Sequence, residues 1–134
     1  MTSKVTYLGA LRTQCVHIRS GNEFITDAPL DNQGLGEAFS PTDTVATALA
    51  SCMLTVMGIK ARDHEVDLRD TTAEVTKHMA SDPRRISKIE VALYLPGGVS
   101  DKHRKILEHT ANTCPVFQSI NPSITLQIDF HWER

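Results

Sequence analysis

Two cysteines, Cys52 and Cys114, are the residues of this chain best suited to chemistry. Cys52 lies in the middle of an apolar segment with helical spacing, and Cys114 closes a second, amphipathic segment directly before Pro115. A thiolate is a nucleophile, and two thiols that meet can form and reopen a disulfide. The alternative is a pair of ordinary core sulfurs, because unbridged cysteine is among the most buried residue types. Both interpretations remain open at this point.

A reactive Cys52 would need a cation from another segment. Its position well inside a helix gives it little help from the positive helix end, and apolar surroundings raise the pKa of a thiol. Arg12, in a predicted turn between strands, could hydrogen-bond a thiolate and polarise a peroxide oxygen, with Arg19 as a second candidate. Asp43 and Glu37 could orient such an arginine. Each of these residues also has an ordinary structural interpretation: Arg12 as a solvated turn residue, Asp43 as a helix cap and Glu37 as a solvated loop residue.

The other two cysteines are predicted to have different roles. Cys114 is predicted at a helix C-terminus, where partial negative charge disfavours a thiolate. That position suits a thiol that resolves an already oxidised partner better than a first attacker. Cys15 lies in a predicted strand and is interpreted as structural.

The elements that would hold these residues are predicted in the order strands, helix, strands, helix, strand. Ser40-Pro41-Thr42-Asp43 is typical of a helix start, and this helix is expected to run to Asp63, with Val45, Leu49, Cys52, Val56 and Ile59 on one apolar stripe. Alternating apolar residues predict strands near 5–7, 16–18 and 24–26, then at 66–79, 86–95 and 124–130, and a second helix at 101–113. This order favours an α+β fold, and the length favours one domain over residues 1–134.

Composition excludes several classes of protein. The chain has 134 residues, 22% of them charged, with a net charge of -2, so it lacks the basic face of a nucleic-acid-binding protein. The apolar stretch 45–59 is too short and interrupted for a bilayer span, and the N-terminus does not resemble a signal peptide. Three cysteines without a CxxC motif argue against a secreted disulfide framework and a structural zinc site. We therefore expect a soluble cytoplasmic protein without metal or cofactor.

Five short motifs follow one another along the chain. Each motif alone is a weak signal, but the five in this order are specific. They are Tyr7-Leu8-Gly9-Ala10-Leu11-Arg12, Thr26-Asp27-Ala28-Pro29, Phe39-Ser40-Pro41-Thr42-Asp43, Ala48-Leu49-Ala50-Ser51-Cys52 and Cys114-Pro115-Val116. With these motifs the sequence resembles the OsmC/Ohr family of osmotically inducible and organic hydroperoxide resistance proteins, over nearly the whole chain.

The resemblance implies an α+β homodimer with intertwined subunits, in which antiparallel sheets wrap two central helices and the sites lie at the dimer interface. It also implies thiol peroxidase chemistry in a stress response. Cys52 would attack an organic hydroperoxide and become a sulfenic acid, and Cys114 would then close a disulfide. A dithiol, which is a lipoylated protein in family members, would restore both thiols. Arg12 resembles the activating arginine of the family.

One position departs from the family pattern. Peroxidase members carry a glutamate directly after the proline that opens the Cys52 helix, whereas this chain has Thr42 there and an acid, Asp43, one residue later. The alternative function is therefore an OsmC-like dimer without peroxidase activity that binds a small apolar ligand. Both cysteines of such a protein would stay reduced in the presence of peroxide.

Overall fold

A computed structural model describes all residues 1–134 and divides them into two compact units, Met1–Val45 and Ala46–Arg134. The assignment of one domain to the whole chain stays a prediction. The mixture of helices and two small sheets confirms the predicted α+β class.

The first unit is a three-stranded antiparallel sheet. Its strands are β1 (Ser3–Gly9), β2 (Arg12–His17) and β3 (Glu23–Asp27), in that spatial order, and a short 3-10 turn follows at Leu30–Asn32. Ala10 and Leu11 join β1 to β2 with φ values of 52° and 63°. Two consecutive positive φ values are typical of the tight turns whose twist matches a hairpin. The turn fixes Arg12 as the first residue of β2.

The long helix α1 (Pro41–Asp63) has the predicted bounds. Its start is a reciprocal cap in which the Asp43 backbone N donates to Ser40 Oγ at 3.0 Å. In return, the Ser40 backbone N donates to the Asp43 carboxylate at 2.9 Å. This arrangement satisfies backbone donors that the first helical turn leaves without partners.

The buried face of α1 differs from the predicted stripe. Leu49, Met53 and Met57 are fully buried in the core of the second unit, whereas Val45 and Ile59 are 44% and 59% exposed. The predicted stripe was therefore wrong at both of its ends, because the core contacts the face that carries Leu49, Met53 and Met57. Cys52 lies beside that face and is partly exposed.

The second unit contains a mixed sheet rather than the antiparallel one that was predicted. Strand β4 (Thr72–Ala80) pairs with β5 (Arg85–Leu95) antiparallel, but β5 pairs with β6 (Thr125–Trp132) in parallel. Two helices, α2 (Asp101–Ala111) and α3 (Pro115–Ser119), connect β5 to β6. A helical crossover of this kind returns the chain to the same end of the sheet, which makes the next strand parallel.

The inner face of β5 supplies much of this core. Ile89, Val91, Leu93 and Leu95 are each at most 2% exposed, which confirms the predicted alternation. Together with Leu107 of α2 they cover the buried face of α1. Cys114 belongs to the same buried cluster.

One helix, α1, is long and apolar enough to cross a membrane by length and composition, with a mean hydropathy of 1.5 over 18 residues. The apolar stretch at residues 45–59 is shorter than a bilayer span, but the helix extends beyond it at both ends. A single helix of this kind is weak evidence for a membrane span, because core helices of soluble proteins meet the same test. The buried Leu49, Met53 and Met57 are what a core helix would have.

Candidate thiol site

The two thiols differ sharply in exposure. Cys52 lies on α1 and is partly exposed, whereas Cys114 is 0% exposed, and neither forms a disulfide. Both belong to the second unit and pack with its core. The more exposed sulfur is therefore the one that an incoming molecule can reach first.

The position of Cys114 corrects the sequence prediction. Helix α2 ends at Ala111, and Cys114 is the N-cap of the short helix α3 rather than the C-terminus of α2. Pro115 occupies the first turn of α3, where its missing N–H does no harm. The backbone N of Phe117 donates a hydrogen bond to Cys114 Sγ at 3.3 Å.

Burial nevertheless raises the pKa of the Cys114 thiol. The backbone N–H groups of Phe117 and Val116 act in the opposite direction, whereas the Cys52 side chain adds to the increase. Cys114 is consequently a protonated thiol at neutral pH, since its ordinary pKa is already near 8.5. It is therefore poorly suited to attack a substrate first, and its resolving role stays a prediction.

The interaction between the two sulfurs is the most informative feature of this site. Cys52 and Cys114 are 62 positions apart in sequence, yet Cys52 packs against the buried cluster to which Cys114 belongs, and its side chain contributes to the raised pKa of Cys114. A sulfenic acid formed on Cys52 would therefore have a second thiol beside it. Sulfenic acids condense with such a thiol to give a disulfide.

Arg12 is held by two carboxylates within the first unit. Its Nε donates to Asp27 Oδ1 at 2.7 Å, its Nη2 donates to Asp27 Oδ2 at 2.8 Å, and a longer contact of 3.4 Å reaches Glu37. The backbone N of Glu37 also donates to Asp27, at 3.1 Å. This two-point fork fixes the plane of the guanidinium, which a single contact would not do.

The fork also sets the charges of this pair. The hydrogen bond from Arg12 holds the pKa of Asp27 below its usual range, and burial only partly opposes this effect. The same contacts raise the pKa of Arg12, which stays charged. Arg12 is thus a permanently cationic, oriented donor.

Asp27 was absent from the predicted site. Arg12 and Asp27 face each other as register partners at the ends of β2 and β3. The Thr26-Asp27-Ala28-Pro29 motif was the available signal, but the predicted third strand ended one residue too early. Asp43, which was predicted to orient the arginine, caps α1 through Ser40, and the carboxylates that act on Arg12 are those of Asp27 and Glu37.

Other candidate residues have simpler settings. Cys15 lies in β2, with its sulfur 3.9 Å from Thr13 Oγ1. No group of three or more His, Cys, Asp or Glu side chains is arranged to hold a metal ion. Arg12 belongs to the first unit and the two thiols to the second, so the pairing of Arg12 with Cys52 stays a prediction.

Comparison with known proteins gives a family and a fold. The family model described as OsmC-like protein matches residues 34–129. A crystal structure of a candidate osmotic stress induced and detoxification response protein from Psychrobacter arcticus 273-4 is 60% identical. It has a TM-score of 0.94, and the alignment covers 98% of this chain and 96% of that one. No curated protein matches the sequence significantly.

More distant crystal structures share the fold. An organic hydroperoxide resistance protein OsmC from Legionella pneumophila is 18% identical, with a TM-score of 0.72 over 98% of this chain and 97% of that one. An organic hydroperoxide resistance protein from Elizabethkingia anophelis is 15% identical, with a TM-score of 0.77 and coverages of 99% and 97%. The comparisons confirm the resemblance that the sequence motifs indicated.

Proposed function

Since this chain belongs to the OsmC-like protein family, we propose that it reduces organic hydroperoxides with the Cys52 and Cys114 thiols. The observation that carries this proposal is the packing of a partly exposed and a buried cysteine, from distant parts of the chain, in one core cluster. Two distant relatives are named organic hydroperoxide resistance proteins, and the 60% identical relative is named for stress and detoxification. These names support a stress-related redox role.

The first step consumes the peroxide. The Cys52 thiolate attacks the terminal oxygen of ROOH, the O–O bond breaks, and the leaving alkoxide takes a proton and departs as ROH. Cys52 becomes a sulfenic acid, which holds the oxygen that the peroxide lost. The peroxide is reduced by two electrons, and the sulfur is oxidised by the same number.

The second step uses the buried thiol. The Cys114 sulfur attacks the oxidised Cys52 sulfur, the S–O bond breaks, and hydroxide leaves. Because burial keeps Cys114 protonated, its own proton is available to convert that hydroxide into water. A dithiol, such as a lipoylated protein, then reduces the Cys52–Cys114 disulfide by thiol–disulfide exchange and is itself oxidised.

Arg12 is proposed to stabilise the Cys52 thiolate and the developing charge on the peroxide oxygens. A guanidinium held flat by Asp27 presents its remaining N–H groups in a fixed direction. Preorganised donors of this kind stabilise charge that develops in a transition state. Asp27 and Glu37 serve as the positioning carboxylates in this scheme, while Asp43 maintains the start of the Cys52 helix.

Steady-state turnover of cumene hydroperoxide with dihydrolipoamide tests this function. We expect the alcohol to form in proportion to the dithiol consumed. Absence of turnover, with both cysteines still reduced after peroxide treatment, would contradict the proposal and favour the non-enzymatic ligand-binding alternative.

We further propose that the chain acts as a homodimer in the cytoplasm. The first unit exposes several large apolar side chains on its small sheet: Val5 at 59%, Tyr7 at 64% and Phe24 at 50%. Val5 and Phe24 both neighbour Cys15 in the strand register, so they form one continuous apolar strip. Such a strip is typical of a surface that another protein covers. Sedimentation equilibrium should give twice the chain mass, and a monomer at micromolar concentration would contradict the dimer.

A further inference from the structure

A separate pocket of about 620 Å³ lies between the second half of α1 and the loop that leads to β4. Leu54, Ala61, Val66 and Leu68 give it apolar walls. Its volume falls within the range of small-molecule sites, which are usually apolar with a few polar groups. Neither cysteine lines it.

Gly58 opens this pocket from the helix side. Glycine is the least favourable residue in a helix interior apart from proline. Gly58 does not have a positive φ, and a Cβ built on it would meet nothing within 4 Å. Neither backbone conformation nor packing within the chain therefore requires glycine at this position. The missing side chain leaves this part of the pocket wall formed by the helix backbone alone.

The polar lining gives the chemical class of the occupant. Two arginines and two acids line the pocket, so it has no net charge to select an ion. Arg69 and Asp67 bind each other, with Arg69 Nη2 donating to Asp67 Oδ2 at 2.8 Å. Thr71, another lining residue, has a buried Oγ1 without a hydrogen-bond partner. A buried hydroxyl without a partner is unfavourable, and a polar group of a ligand could supply that partner.

We propose that this pocket binds a small uncharged amphipathic molecule. Its apolar body would lie over Gly58 and against Leu54, Val66 and Leu68, and its one polar group would bond to the Thr71 hydroxyl. This binding site is independent of the proposed peroxidase chemistry.

Titration with 1-octanol, followed by amide NMR shifts, tests the pocket, and octanoate serves as the charged probe of equal chain length. We expect 1-octanol to shift the amides of Gly58 and of residues 64–71, and octanoate to bind about tenfold more weakly because its carboxylate must be desolvated. Gly58→Leu should abolish these shifts by filling the pocket. The alkylation rate of Cys52 should stay unchanged in Gly58→Leu, which shows that the thiol site is intact.

Thr71 variants keep the test decisive if Gly58→Leu does not fold. Thr71→Val should weaken 1-octanol binding about fivefold, and Thr71→Ser should preserve it, since one hydrogen bond is at stake. Octanol shifts that persist unchanged in Gly58→Leu, or octanoate that binds as well as octanol, would overturn the proposal. A change of oligomeric mass in Gly58→Leu would overturn it too, because the bare surface would then contact a second copy of the chain.

Discussion

Cys52→Ser is expected to lower peroxide turnover by at least about 10³-fold, because a serine hydroxyl cannot replace the thiolate that attacks the O–O bond. The measurement is the initial rate of cumene hydroperoxide loss with dihydrolipoamide as reductant. Cys15→Ala is the matched control, since it removes a thiol of β2 that has no role in the mechanism and keeps the strip between Val5 and Phe24 apolar, and it should turn over like the wild type. Turnover that survives Cys52→Ser would reject Cys52 as the nucleophile.

Cys114→Ser should separate the two chemical steps. This variant keeps the attacking thiol, so it should still consume about one equivalent of peroxide in a single turnover. Dimedone should then label the sulfenic acid of Cys52, because no neighbouring thiol remains to resolve it. Complete loss of the single turnover in a folded Cys114→Ser protein would contradict the division of roles between the two sulfurs.

Arg12→Ala is expected to slow the alkylation of Cys52 at neutral pH and to lower turnover by about 10²- to 10³-fold, the typical effect of removing one charged donor from a reacting oxygen. The pH dependence of Cys52 alkylation measures the first effect, and the peroxide assay measures the second. Arg12→Lys should recover only part of the activity, because an ammonium keeps the charge but not the two-point fork onto Asp27. An unchanged alkylation profile in Arg12→Ala would contradict an activating role.

Arg12→Ala also leaves the Asp27 carboxylate without its cation, so its effect on stability must be measured separately from its effect on activity. The pKa of Asp27 is lowered in the folded chain, so its contribution to stability is present above the unfolded value of about 3.9 and disappears as the pH falls through the folded value. The wild type should therefore lose this stabilisation only in acid, whereas Arg12→Ala should already lack it at neutral pH. The double variant Arg12→Ala/Asp27→Asn removes the unpaired charge, and it should recover thermal stability but not activity.

Sequence patterns predicted the elements whose structure depends on residues close together in the sequence. The Ser40–Asp43 start of α1 was recognisable because its capping side chains and its proline are adjacent in sequence. The alternation of β5 was equally clear, because one face of that strand is buried along most of its length. The parallel pairing of β5 with β6 was not predictable from either strand, because direction depends on the crossover between them.

The candidate site was also predictable only in part. The two cysteines and Arg12 were identifiable by residue type and motif, but their partners depend on tertiary contacts. Asp27 meets Arg12 only through the register of β2 and β3. The sequence placed Cys114 at the negative C-terminal end of α2, but α2 ends at Ala111 and a new helix begins at Pro115. A two-residue error in the end of α2 therefore moved Cys114 from the end of one helix to the start of the next.

Mass spectrometry after one equivalent of cumene hydroperoxide tests whether Cys52 and Cys114 are a redox pair. We expect the chain to lose the mass of two hydrogen atoms, and digestion without reductant to yield one linked peptide that joins Cys52 to Cys114. Two reduced thiols, or a bridge that includes Cys15, would contradict it.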